Sequence, residues 1–184
     1  MNGLTATVIN QFSYQGLIFI DRPTVKGVQC GAAILSEKWI VSAKHCVTNA
    51  ISIEIRIAGL TRNTYALKTY ATSYAKSDLS DVALISMRDK IQFSNSVSYI
   101  RLPSISQRYN LFTGYVATVS GFGIENQATN GISYNLQYTT VKIITNEECS
   151  RIYGHTNSTV LCAVGYPNTK SSSCPGDSGG KFKL

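Results

Sequence analysis

Residues 51–57 read Ile, Ser, Ile, Glu, Ile, Arg, Ile, an unbroken alternation of apolar and polar positions. Successive side chains of a strand point to opposite faces, so a period of two predicts a half-buried antiparallel strand here. Strand-like runs follow at 82–87, 115–120, 134–144 and 159–164, and 181–184 alternate again. Gly, Asn and Ser turns at short spacing separate these runs, which favours a barrel or sandwich. One helix start interrupts them: Thr145 and Glu148 stand at capping-box spacing, where each side chain can satisfy the other's backbone N–H. No long internal repeat or low-complexity tract is present, and no stretch is long enough to span a bilayer.

With 184 residues, 43% of them hydrophobic, the chain can bury a core, although all-β barrels commonly run to about 200–250 residues as one unit. The start lacks the basic stretch, apolar run and small-residue cleavage site of a secretory signal. The net charge of +7 comes from 17 basic residues scattered without a dense run. Solvated faces and attraction to acidic proteins fit that pattern better than nucleic-acid recognition. The triplet Asn157-Ser158-Thr159 is a glycosylation sequon that suits a secreted loop, and His155 beside it reads as an exposed loop residue. With only two histidines, no zinc site, other metal or cofactor is expected.

The chemistry is carried by distant segments. Gly176-Asp177-Ser178-Gly179-Gly180 holds a serine between glycines, where backbone N–H groups can face a developing oxyanion. A serine hydroxyl is a weak nucleophile at neutral pH and needs a base with a pKa near the working pH, which histidine supplies. His45 stands just before Cys46 in a segment that begins at Cys30. A neutral imidazole must also be held in one tautomer by a buried carboxylate. Asp78 and Asp81 are the two candidates between these motifs.

The segment 30–46, ending in His45-Cys46, and the Gly176-Asp177-Ser178 loop, taken in that order, resemble the trypsin/chymotrypsin-type serine proteases. Asp81, followed by Val82, Ala83, Leu84 and Ile85, fits that family's acid, leaving Asp78 as a loop or cap acid. Ser120-Gly121-Phe122-Gly123, with Phe122 where tryptophan is usual, is most similar to invertebrate chymotrypsin-like and brachyurin-type digestive proteases. Phe122 reads equally well as a plain core aromatic.

The resemblance implies an all-β fold of two antiparallel six-stranded Greek-key barrels, 1–102 and 103–184, in one peptidase domain. The second barrel is expected to be truncated at its C-terminal end, with the site in the cleft between the two. It implies His45 as base then acid, Asp81 as its orienter, Ser178 as nucleophile, and the N–H groups of Gly176 and Ser178 as the oxyanion hole. It places disulfides at Cys30–Cys46 and Cys149–Cys162 and leaves Cys174 as the odd cysteine, whose family partner would lie beyond Leu184. Ser172, small and uncharged, would floor the primary pocket, which argues against cleavage after Lys or Arg and towards aromatic or aliphatic side chains.

Asp177 would be the activation-switch acid. With Met1 before Asn2-Gly3 in place of the family's Ile or Val, it is expected to stay unpaired beside a loose, zymogen-like oxyanion hole. Lys44 replaces a small alanine and is expected to point away from the imidazole. Lys181 replaces a proline. The expected protein is a secreted, extracellular, monomeric serine endopeptidase acting on proteins or peptides and open to proteinaceous protease inhibitors. No nucleic-acid or membrane partner is expected. The alternative is a catalytically inactive homologue or truncated fragment acting as a binding protein.

Overall fold

Isoleucine dominates the interior because its β-branched side chain suits a pleated, buried surface. The computed structural model describes residues 3–126, 131–154, 160–167, 172–180 and 182–183. The sequon at 157–159, His155, Ser171 and Lys181 lie outside the described residues. A two-residue strand, β1 (Leu4–Thr5), comes first. Next are β2 (Gln15–Asp21), β3 (Val28–Ile34) and β4 (Trp39–Ser42). A one-turn helix, α1 (Lys44–Val47), leads into β5 (Ser52–Ile57), β6 (Leu67–Lys76) and β7 (Ala83–Met87).

Strands β2 to β7 close into an antiparallel barrel in the order β2, β3, β4, β7, β6, β5. The alternation read from residues 51–57 is realised in β5: Ile53, Ile55 and Ile57 point inward. They meet Ile18, Ile20, Ile40, Ile85 and Met87 in one core, each fully buried side chain contributing roughly 1.5–3 kcal/mol. Strand β3 does not alternate, because Ala32 and Ile34 face the barrel interior while Ala33 packs into a second core. A strand covered on both faces has no polar side to display.

The second half contributes β8 (Val116–Gly121), the short pair β9 (Ile124–Asn126) and β10 (Gly131–Ile132), and β11 (Gln137–Ile144). Helix α2 (Asn146–Tyr153), β12 (Cys162–Gly165) and β13 (Phe182–Lys183) follow. Strand β11 is the hub of a five-stranded sheet. It pairs with β8, β12 and β1, and β13 adds to the far edge of β8. The reciprocal cap read from Thr145 and Glu148 is present at the start of α2.

The run expected over 134–144 becomes regular strand only from Gln137. Before that, Leu136 N–H donates to Leu60 O at 2.8 Å, and Tyr134 O accepts from Arg62 N–H at 2.9 Å. Those backbone groups are committed to a loop of the first barrel, so they cannot join the sheet ladder. Between the halves lies the second core, formed by Phe12, Tyr14, Leu17, Ala33, Ile100, Phe122 and Leu136. Phe122 is 3% exposed there, as a core aromatic.

Candidate active site

His45 sits on α1, a single turn wedged against the barrel by Cys46 and Val47, both fully buried. The period-two reading did not anticipate this helical turn. Its far end is braced by Arg22, whose guanidinium donates to the carbonyls of His45 at 2.8 Å and Cys46 at 3.1 Å. A cation at the last carbonyls of a helical turn is favourably placed. No spacing in the sequence marks Arg22, which stands in a loop 23 residues upstream of His45.

Asp81 reaches His45 twice. Its Oδ1 accepts the His45 backbone N–H at 2.8 Å, and its Oδ2 lies 2.6 Å from ring Nδ1. Burial acts to raise the Asp81 pKa, but the two bonds from His45, with the positive charge of Lys44, outweigh it and hold the carboxyl below its ordinary value. The expectation of a buried acceptor is corrected: the side chains of His45 and Asp81 are 57% and 58% exposed. Asp78 is exposed and makes no hydrogen bond to His45 among the described residues. Lys44 Nζ donates to Ser77 O at 2.7 Å.

The loop 174–180 is held by the first barrel. Gly31 N–H donates to Ser178 O at 2.7 Å, and Ser42 Oγ donates to Gly31 O at 2.8 Å. Gly31 has to be glycine, since a Cβ there would lie 2.8 Å from the backbone nitrogen of Gly180. Ser178 O lies 3.8 Å from Cys46 Sγ, and His45 Nε2 lies 3.6 Å from the same sulfur. The main-chain carbonyl of Ser178 and the imidazole thus both border one disulfide sulfur. Ser178 Oγ and the N–H groups of Gly176 and Ser178 have no hydrogen-bond partner among the described residues.

Asp177, expected from the sequence to be without a cationic partner, is held by main-chain donors. Its carboxylate is buried, and it accepts Gly123 N–H at 2.7 Å on Oδ1 and Cys174 N–H at 2.9 Å on Oδ2. Burial raises its pKa despite these two bonds. The same contact explains Gly123, where a Cβ would fall 2.5 Å from that carboxyl. Gln29 ties the halves together from the other side, with Nε2 donating to Phe122 O at 2.8 Å.

Both expected disulfides are present, Cys30–Cys46 with Cα atoms 6.4 Å apart and Cys149–Cys162 at 5.9 Å. Cys174 belongs to neither, and its Sγ lies 3.9 Å from Ser172 O. Ser172 is exposed at the start of this loop. No helix among the described residues is long and apolar enough to cross a membrane, which says nothing of a β barrel.

Residues 1–182 match the family described as Trypsin. A collagenase of Hypoderma lineatum is 32% identical over 182 residues, covering 94% of this chain and 67% of the relative. Trypsin alpha of Drosophila erecta is 30% identical over 191 residues, covering 97% of this chain and 70% of the relative. The solved structure of HL collagenase superimposes with a TM-score of 0.87 at 30% identity, over 100% of this chain and 80% of that one.

Proposed function

The chain belongs to the trypsin family, a serine endopeptidase by that kinship, and from this premise we propose that it cleaves peptide bonds through an acyl-enzyme on Ser178. The observation that carries the reading is the double grip of Asp81 on His45, beside the main-chain carbonyl of Ser178, which borders the same disulfide sulfur. With its Nδ1 proton directed at Asp81, the neutral ring keeps the Nε2 lone pair for the Ser178 hydroxyl proton. Ser178 Oγ then attacks the substrate carbonyl carbon. The oxyanion is received by the N–H groups of Gly176 and Ser178, and the imidazolium returns its proton to the departing amine. Water repeats the sequence on the ester. Serine–histidine bonds are often long before substrate binds and tighten in the complex, which accommodates a Ser178 Oγ with no hydrogen-bond partner among the described residues.

In this reading 1–102 and 103–184 form the two halves of the peptidase unit and the protein works outside the cell. Asp177 steadies the oxyanion loop. Ser172 lies at the pocket floor, so aromatic and aliphatic side chains are preferred over Lys and Arg. The likeness to a collagenase makes collagen the first macromolecule to assay. The test is a serine-directed phosphonate followed by paired peptide substrates. Stoichiometric labelling lost in Ser178→Ala, with Phe or Leu cleaved faster than Lys or Arg, supports the reading. Folded, disulfide-bonded protein that takes no label favours the alternative, a non-catalytic binding protein.

A further inference from the structure

Lys44 and His45 are consecutive on α1, and both engage the 77–82 loop that carries Asp81. Lys44 Nζ donates to Ser77 O at 2.7 Å, and Lys44 N–H reaches Asp81 O at 3.3 Å. The loop is a self-closed turn. Ser77 Oγ accepts the N–H groups of Leu79 and Ser80 at 3.2 Å each, and Ser77 N–H donates to Val82 O at 2.9 Å. One tether at Ser77 therefore fixes the whole turn. The charged and titratable groups that influence Asp81 are His45 and Lys44, both from α1.

We propose that Lys44 is a positioning residue for the acid, pinning the Ser77 carbonyl so that the loop presents Asp81 to the backbone N–H and ring Nδ1 of His45. The proposal rests on the catalytic reading of that pair. Asp81 is more than half exposed, so packing does little to fix it and hydrogen bonds set its position. A bond donated by an ammonium is roughly twice as strong as a neutral one. A small residue at position 44 could make neither the bond nor the field.

The test compares wild type with Lys44→Met, Lys44→Gln and Lys44→Arg. The first readout, independent of turnover, is hydrogen exchange of the His45 backbone amide, whose acceptor is Asp81 Oδ1. The amide of Ile55 in the barrel serves as internal control. Lys44→Met should speed His45 exchange about tenfold, leave Ile55 unchanged, and move the loss of protection to higher pH. Lys44→Arg should stay near wild type. In the second readout kcat/KM of Lys44→Met should fall about five- to tenfold. His45 exchange and kcat/KM both unchanged in Lys44→Met, or in Lys44→Gln should the first not fold, would overturn the proposal. Lost protection in a protein whose wild type has no turnover would remove the catalytic reading and keep the tether. An active wild type with an unaltered Lys44→Met would do the reverse.

Discussion

Asp81 binds His45 through both oxygens, one on the ring Nδ1 at 2.6 Å and one on the backbone N–H at 2.8 Å. The second bond ties the acid to the main chain of the same residue, so ring and carboxylate share one frame. Because the pair is exposed, its consequence lies in orientation more than in stability.

Replacing Asp81 with Asn should therefore lower kcat by about 10⁴, while the unfolding free energy changes by no more than about 1 kcal/mol, as for exposed ion pairs. Steady-state kinetics beside urea unfolding separates the two. A loss of several kcal/mol with modest loss of turnover would reverse the assignment.

Asp81 and Asp177 should act oppositely on stability as pH changes. Asp81 is held below the ordinary aspartate value, so its contribution is present above that value and fades as pH falls through the lowered one. Asp177 is raised by burial, so its contribution is complete below the ordinary value and fades as pH rises through the raised one. Unfolding free energies of wild type, Asp81→Asn and Asp177→Asn across pH should give differences of opposite slope. The Asp81 slope should be shallower because solvent screens it. Slopes of the same sign would contradict the two environments.

Gly31→Ala should leave a folded barrel with a displaced nucleophile loop, since the new Cβ meets the backbone of Gly180 at 2.8 Å. A shift of about 1 Å at reacting groups can cost 10²-fold. The expected result is a loss of that order in phosphonate labelling rate with the circular dichroism spectrum retained.

Ile55→Ala removes a fully buried side chain from the centre of the barrel. The expected cost is about 2–5 kcal/mol in denaturant unfolding. A cost under about 0.5 kcal/mol would mean the core collapses around the gap.

The parts legible in the sequence were those whose signal is local. The alternation at 51–57 foretold β5, the Thr145 and Glu148 spacing foretold the α2 cap, and short motifs carried His45 and Ser178. Asp81 was separable from Asp78 only by the apolar residues that follow it. Contacts made by bringing remote segments together left no such trace. Arg22 bracing the His45 turn is one example, and Gln29 spanning to Phe122, 93 positions away, is another. The hold on Asp177 is hidden for the same reason. Its partners are the backbone amides of Gly123 and Cys174, and a main-chain N–H has no letter in a sequence. The exposure of the His45–Asp81 pair is likewise set by what surrounds it in space.

Strand β1 docks on β11, with Thr5 opposite Gln137 and a side-chain bond spanning 132 positions. During synthesis, every strand of the closed barrel has left the ribosome well before Gln137 is made. Strand β1 therefore waits without its β11 partner until the later sheet emerges, and only that emergence gives it a seat.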